Sequence, residues 1–246
     1  GLHMVNIQNP TAPTFAGCYS SDGYTHDTQC VVYNGPDTQH QGKEICFSSN
    51  EDTLTITDVT NKAAPVLLAR QPYAGSAYTH QGWLTEDQTY FLIDDELDDG
   101  GSNPTSTYIW NVSNLDSPVN TGEFNGTSPA QDHNQYIKGD YSYQANYRGG
   151  LRILDISNIE SAQLSEVGYF DIYPANNNYG FQGAWSNYPY FASGNVIVSG
   201  IGEGLFVVRP NLGAQITPTP SSTFTATAAP THTPTPTNTP VPPTFT

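Results

Sequence analysis

Positive charge is scarce in this chain. Seven Lys and Arg stand against 23 Asp and Glu, a formal net charge of −16. Such a chain has almost nothing with which to neutralise phosphates, which argues against nucleic acid and against anionic membrane surfaces as partners. The same imbalance permits cation binding. No apolar run reaches the length of a membrane span, so a direct membrane span is not expected. The opening Gly1-Leu2-His3-Met4-Val5 reads as the middle of a strand, hence as a processed or incomplete N-terminus. Cysteine is limited to Cys18, Cys30 and Cys46, with no Cys-x-x-Cys spacing, which argues against a zinc site. One disulfide plus one free thiol is the natural reading in an exported protein. Cys30 and Cys46 fall on segments that read as adjacent antiparallel strands, which favours Cys30–Cys46, while Cys18 with either of the others stays open. Gly-x-Ser-x-Gly, His-Glu-x-x-His and phosphate-loop motifs are missing, and helical periodicity is nearly so.

What the chain does have is aromatic and turn-forming residues, 16 Tyr among them, suited to pleated half-buried surfaces. It also has an internal repeat. A short apolar strand ending in Asp or Asn appears as Leu2-His3-Met4-Val5-Asn6 and returns as Leu54-Thr55-Ile56-Thr57-Asp58. Further copies are Tyr108-Ile109-Trp110-Asn111 and Leu151-Arg152-Ile153-Leu154-Asp155, with a degenerate last copy at Leu205-Phe206-Val207-Val208-Arg209. A second motif precedes each later copy: Tyr24-Thr25-His26-Asp27, Tyr78-Thr79-His80-Gln81, Gln131-Asp132-His133-Asn134 and Gly180-Phe181-Gln182-Gly183. His26, His80 and His133 follow at steps of 54 and 53 residues, and Gln182 comes 49 after His133. Two motifs with one period and one order, separated by strand–turn–strand patterns such as Asn134–Ile137, Lys138-Gly139-Asp140 and Tyr141–Asn146, predict four antiparallel strands per roughly fifty residues. That is the arithmetic of a propeller blade.

The strand copies, above all Leu151-Arg152-Ile153-Leu154-Asp155-Ile156-Ser157-Asn158, resemble the LVIVD repeat of bacterial surface propellers. Tyr24-Thr25-His26-Asp27 and Tyr78-Thr79-His80-Gln81-Gly82-Trp83, with Asp94-Asp95-Glu96, resemble the choice-of-anchor B family. The resemblance covers about residues 1–210. It implies a β-propeller and an extracytoplasmic home, and it implies no activity. The family is longer at the N-terminus, whereas this chain starts within a blade.

The expected fold is therefore all-β: a partial first blade over 1–25, propeller blades over 26–210 and a Pro/Thr-rich stalk over 211–246. The blades lie near 26–77, 80–130, 133–175 and 180–210, and the last lacks a fourth strand. Incomplete end blades leave strand edges open, either for residues outside this sequence or for another chain. From Thr217 the sequence alternates Thr with Pro, which suits an extended spacer carrying O-linked sugar at Thr219, Thr233 and Thr235. Asn111-Val112-Ser113 and Asn125-Gly126-Thr127 are N-glycosylation triplets.

Two clusters carry candidate chemistry. His26, His80 and His133 occupy equivalent slots, so they would ring the channel axis, where imidazoles can hold a transition metal. Against this stands an architectural role, each His fixing a loop between blades by hydrogen bonds. Asp94-Asp95-Glu96-Leu97-Asp98-Asp99-Gly100-Gly101 is the densest acidic run, a Ca²⁺ candidate through Asp94, Asp95, Glu96 and Asp98 that lacks EF-hand spacing and otherwise reads as a solvated loop. Trp83, Trp185, Tyr179, Tyr188 and Tyr190 either stack on sugars or fill the space between blades. The expected function is a structural or adhesive module at the cell surface, without catalysis, contacting itself or a surface or matrix partner. The alternative is a secreted metal-dependent hydrolase or lyase at the channel mouth.

Overall fold

The computed structural model describes residues 1–100 and 103–212; Thr219, Thr233 and Thr235 lie outside these residues. Among the described residues the protein is built from strands, with one short 3₁₀ turn at Ile159–Ser161. Seventeen strands form five antiparallel sheets in sequence order. The first is a hairpin of β1 (Leu2–Asn6) and β2 (Thr14–Tyr19). The second is β3 (Asp27–Val32), β4 (Glu44–Ser49), β5 (Thr53–Asp58) and β6 (Val66–Pro72). The third is β7 (Thr79–Leu84), β8 (Tyr90–Asp95), β9 (Ser106–Asn111) and β10 (Val119–Asn125). The fourth is β11 (Asn134–Lys138), β12 (Tyr141–Ala145), β13 (Leu151–Asn158) and β14 (Gln163–Phe170). The fifth has three strands, β15 (Ala184–Tyr188), β16 (Val196–Gly200) and β17 (Gly204–Val208).

The repeat has a direct physical cause. Its closing Asp or Asn accepts a hydrogen bond from the backbone N–H two residues on: Gln8 to Asn6, Thr60 to Asp58, Ser113 to Asn111 and Ser157 to Asp155, all at 2.8–3.0 Å. A second Asn repeats the device three residues later in three of the copies, at Asn9, Asn61 and Asn114. A short polar side chain thus takes over where the ladder ends and turns the chain back. The register also slips in each described pairing of a repeat strand with the strand that follows it: Met4/Val5, Ile56/Thr57, Asn120/Gly122 and Ile153/Leu154, with a second shift at Asp155/Asn158 in the last. A bulge there bends and twists the outer strand of each sheet.

The sheets pack face to face through apolar clusters. Tyr33, Phe47, Ile56, Phe91 and Trp110 join the second sheet to the third; Leu92, Ile109, Ile137 and Leu154 join the third to the fourth. Tyr143, Ile153, Ala184 and Val198 join the fourth to the fifth, and Leu2, Cys46 and Val59 join the first to the second. Among the described residues no such cluster joins the fifth sheet to the first. Helix is almost absent and four-stranded antiparallel sheets recur, which is the β-propeller architecture.

Cys30 on β3 and Cys46 on β4 are direct cross-strand partners and are disulfide-bonded, while Cys18 is free and exposed. Closing a segment with a sequence separation of 16 restricts the unfolded chain. Replacing both by Ser should lower unfolding free energy by about 3 kcal/mol. Urea denaturation under non-reducing conditions checks this, and a loss below about 0.5 kcal/mol would show that the bridge contributes little.

Candidate functional site

The start of each inner strand carries the histidine slot. Strands β3, β7, β11 and β15 lead their sheets, and the three histidine rings form a row across sheet boundaries. His26 and His80 have centroids 4.2 Å apart, His80 and His133 4.4 Å, and His133 and Trp185 4.3 Å. His80 and His133 are buried, and His26 is exposed.

Backbone fixes the two buried rings. His80 Nδ1–H donates to the His133 carbonyl at 2.7 Å, and His133 Nδ1–H donates to the Trp185 carbonyl at 2.6 Å. Each ring therefore hands a hydrogen bond to the next sheet, 53 and 52 residues on. Proton use at Nδ1 leaves Nε2 as a lone pair. Both Nε2 atoms face Glu96, His80 at 3.9 Å from Oε2 and His133 at 3.9 Å from Oε1. The Tyr147 hydroxyl donates to Glu96 Oε1 at 2.6 Å and holds the carboxylate in place. Burial pushes His80 down to about 3, with the neighbouring imidazoles adding to the effect, and pushes His133 down to about 4. His26 stands apart from this group; its Nδ1 meets the Tyr78 hydroxyl at 3.0 Å.

The acidic run does not act as one cluster. Successive residues on a strand face opposite sides, so Asp94 and Asp95 diverge. Asp95 is saturated by Tyr78 N at 2.6 Å, Ala77 N at 2.9 Å and the Tyr73 hydroxyl at 2.7 Å, which makes it the anchor of the loop entering β7. Glu96 goes to the histidines. Asp98 meets Asp99 and Asp132, with one oxygen of each within 4.8 Å of the others. Asp94 is fully buried nearby, one oxygen bound by Gln135 at 2.7 Å. Burial raises all four: Asp98 to about 6, Asp99 to about 9, and Asp94 and Asp132 well above the ordinary carboxylate range. Among the described residues none of the four has a Lys or Arg ion pair.

Asp99 lies in the acidic run but is not among its named ligands, and Asp132 lies outside that run. The signal was the slot before each histidine, which holds Thr25, Thr79 and then Asp132. A third group, Asp37, His40 and Asp116, sits where the loop before β4 meets the turn after β9. There Asp37 accepts Leu115 N at 3.0 Å, and His40 bridges Asp116 and Lys43, each at 3.1 Å, so an interblade lock accounts for it.

The remaining sequence candidates fall into place simply. Asn111 closes β9, and its side-chain oxygen is taken by Ser113 N at 3.0 Å and the Ser113 hydroxyl at 2.6 Å. Asn125 ends β10 and is exposed. Trp83 packs on Tyr136 with centroids 4.8 Å apart, between the third and fourth sheets. Tyr188 and Trp185 remain about half exposed on the fifth sheet.

Comparison with known proteins agrees with this architecture. The LVIVD repeat family matches residues 134–171, the span of the fourth sheet. A crystal structure of a protein from Lactobacillus plantarum is similar in fold, with a TM-score of 0.52, 16% identity, and coverage of 67% of this chain and 53% of that one. The β-propeller domain of Cps50 (Swd1) from Myceliophteria thermophila is similar at a TM-score of 0.51 and 13% identity, covering 85% of this chain and 63% of that domain. The chain thus spans less than two thirds of either structure. No curated protein matches. Identities this low speak to the fold alone. Sheet order and structural neighbours together show a β-propeller, and its fourth sheet matches the LVIVD repeat.

Proposed function

We propose that this chain is an extracellular, surface-displayed propeller with a structural or adhesive role and no catalysis, and that it associates with copies of itself through its end sheets. The observation that carries the reading is the pair of end sheets. By register β1 is a repeat strand, and among the described residues its sheet holds only β1 and β2, without counterparts of the two inner strands that β5, β9 and β13 lean on. Likewise, among the described residues β17 has no counterpart of the outer strand that β6, β10 and β14 supply in their sheets. On β17, Leu205 and Val207 are 65% and 62% exposed, and their cross-strand neighbours are Ser199 and Ile197. An edge strand bordered by exposed aliphatics is a template for strand pairing. Pairing of such an edge with a different face of a second copy is heterologous and propagates. The bridged pair Cys30–Cys46 supports an oxidising compartment, and the formal charge of −16 supports life in solvent rather than against nucleic acid.

The histidine group fits this reading. His80 and His133 are 4% and 2% exposed and are spent on interblade hydrogen bonds, as expected of a blade lock rather than of an open catalytic centre.

Sedimentation velocity across a concentration series tests assembly. The chain should form growing oligomers, and Leu205→Lys with Val207→Lys should hold it monomeric without lowering Tm. A wild-type chain that stays monomeric at high concentration would overturn the assembly reading. Protease shaving of intact source cells separately tests display, since a surface protein should be cut while cytoplasmic markers survive.

A further inference from the structure

We propose that Asp98, Asp99 and Asp132 form a divalent-cation site for Ca²⁺ that ties the loop after β8 to the start of β11. Each carboxylate is held by one oxygen. The Tyr108 hydroxyl donates to Asp98 Oδ2 at 2.6 Å, Asp132 N to Asp99 Oδ2 at 2.8 Å, and Ser106 N to Asp132 Oδ2 at 3.3 Å. The remaining oxygen of each, Oδ1, is buried and has no hydrogen-bond donor. Asp132 is completely buried and Asp99 is 8% exposed, so solvent does not serve those oxygens as it would in a surface loop. Asp94 adds a fourth oxygen in the same condition: its Oδ2 is buried without a donor, although Oδ1 is bound.

Buried carboxylate oxygens with no donor are costly, and several of them without a countercharge are more so. One oxygen from each of the three carboxylates lies within 4.8 Å of the others, and each carboxylate is aligned by a donor on its Oδ2, the arrangement that orients metal ligands. The donor set is oxygen only, which selects a hard cation. Mg²⁺ demands near-ideal octahedral geometry and retains several waters, whereas Ca²⁺ accepts irregular carboxylate and carbonyl shells. The repeat supports the assignment independently. Architecture places Thr25 and Thr79 in the slot before the histidine, and only the third unit places a carboxylate, Asp132, there opposite Asp98 and Asp99. The proposal stands apart from the assembly reading above, since it concerns an ion inside one chain.

The test uses the full chain, stripped with EDTA and then dialysed against millimolar Ca²⁺. One Ca²⁺ per chain should be retained by elemental analysis, and Tm should rise by about 5–10 °C. Asp132→Asn and Asp99→Asn should each abolish both responses while raising the Tm of the stripped protein, because each removes a buried carboxyl whose ionised form the stripped fold disfavours. A merely structural aspartate would not give that pair of opposite shifts. His80→Gln, a change already present in the equivalent slot at Gln182, should keep the Ca²⁺ response. The proposal fails if stripped and loaded proteins melt together with no ion retained, or if the response survives both Asn variants. An equal response to Mg²⁺ would overturn the choice of Ca²⁺. Should Asp132→Asn fail to fold, Asp99→Asn carries the test through ion retention alone.

Discussion

Stripped of divalent cations, the protein should lose stability as pH rises from 7 to 9. Burial raises Asp99 to about 9 and holds Asp94 and Asp132 well above the ordinary carboxylate range. The fold therefore keeps protons that the unfolded chain has already shed near pH 4. A carboxyl with a raised folded pKa favours the fold at low pH and stops doing so as pH climbs through that pKa. Asp99 alone lowers stability by on the order of 1 kcal/mol per pH unit below pH 9, and its buried neighbours steepen the slope. The histidines do not interfere there. His80 and His133 are held down to about 3 and about 4, so their contribution is complete above pH 6.5 and is lost only on acidification below it. Urea midpoints at pH 7, 8 and 9 in EDTA measure the slope. Asp99→Asn should flatten it, and a wild-type midpoint that is level across this range would refute the account.

Replacing Asp95 by Ala should cost about 3–5 kcal/mol, because it strands three donors at once. Asp95 is fully buried, and the donors are two consecutive backbone N–H groups at Ala77 and Tyr78 and the Tyr73 hydroxyl. They hold the loop that delivers His80 to the row of rings, so the histidine geometry should suffer with it. Asp95→Asn keeps an acceptor oxygen and the side-chain volume, and should cost roughly half as much. Chemical denaturation of the three proteins at neutral pH decides the matter. A loss under about 1 kcal/mol for the Ala variant would mean that water or neighbouring groups satisfy those donors.

Much of the architecture was legible because it repeats. The closing Asp58, Asn111 and Asp155 recur at fixed spacing since the same turn ends each strand, and a backbone turn writes itself into local sequence. The histidine row was legible for the same reason, as equivalent slots in successive sheets face one axis. The acidic site was not. Asp94, Asp95, Glu96 and Asp98 are neighbours along the chain, yet strand alternation and one loop send them to a buried pocket, an entry loop, the imidazoles and the cluster with Asp132. Asp132 lies more than thirty residues from its partners, and contact across a blade boundary leaves no local trace. His26 packs on a ring of the following sheet just as His80 and His133 do, yet it stays exposed while they are buried, a difference with no trace in the repeat.

Face-to-face contact between successive sheets alone has a mechanical consequence. A pulling force entering the described fold at Leu212 meets β17 first, a hairpin strand that among the described residues pairs only with β16. Hydrogen bonds loaded one at a time unzip, so the fifth sheet should yield before tension reaches the clusters joining the second, third and fourth sheets. The molecule would then lengthen in steps, one sheet per step, behaving under load as a graded shock absorber whose last element to give is the segment stapled by Cys30–Cys46.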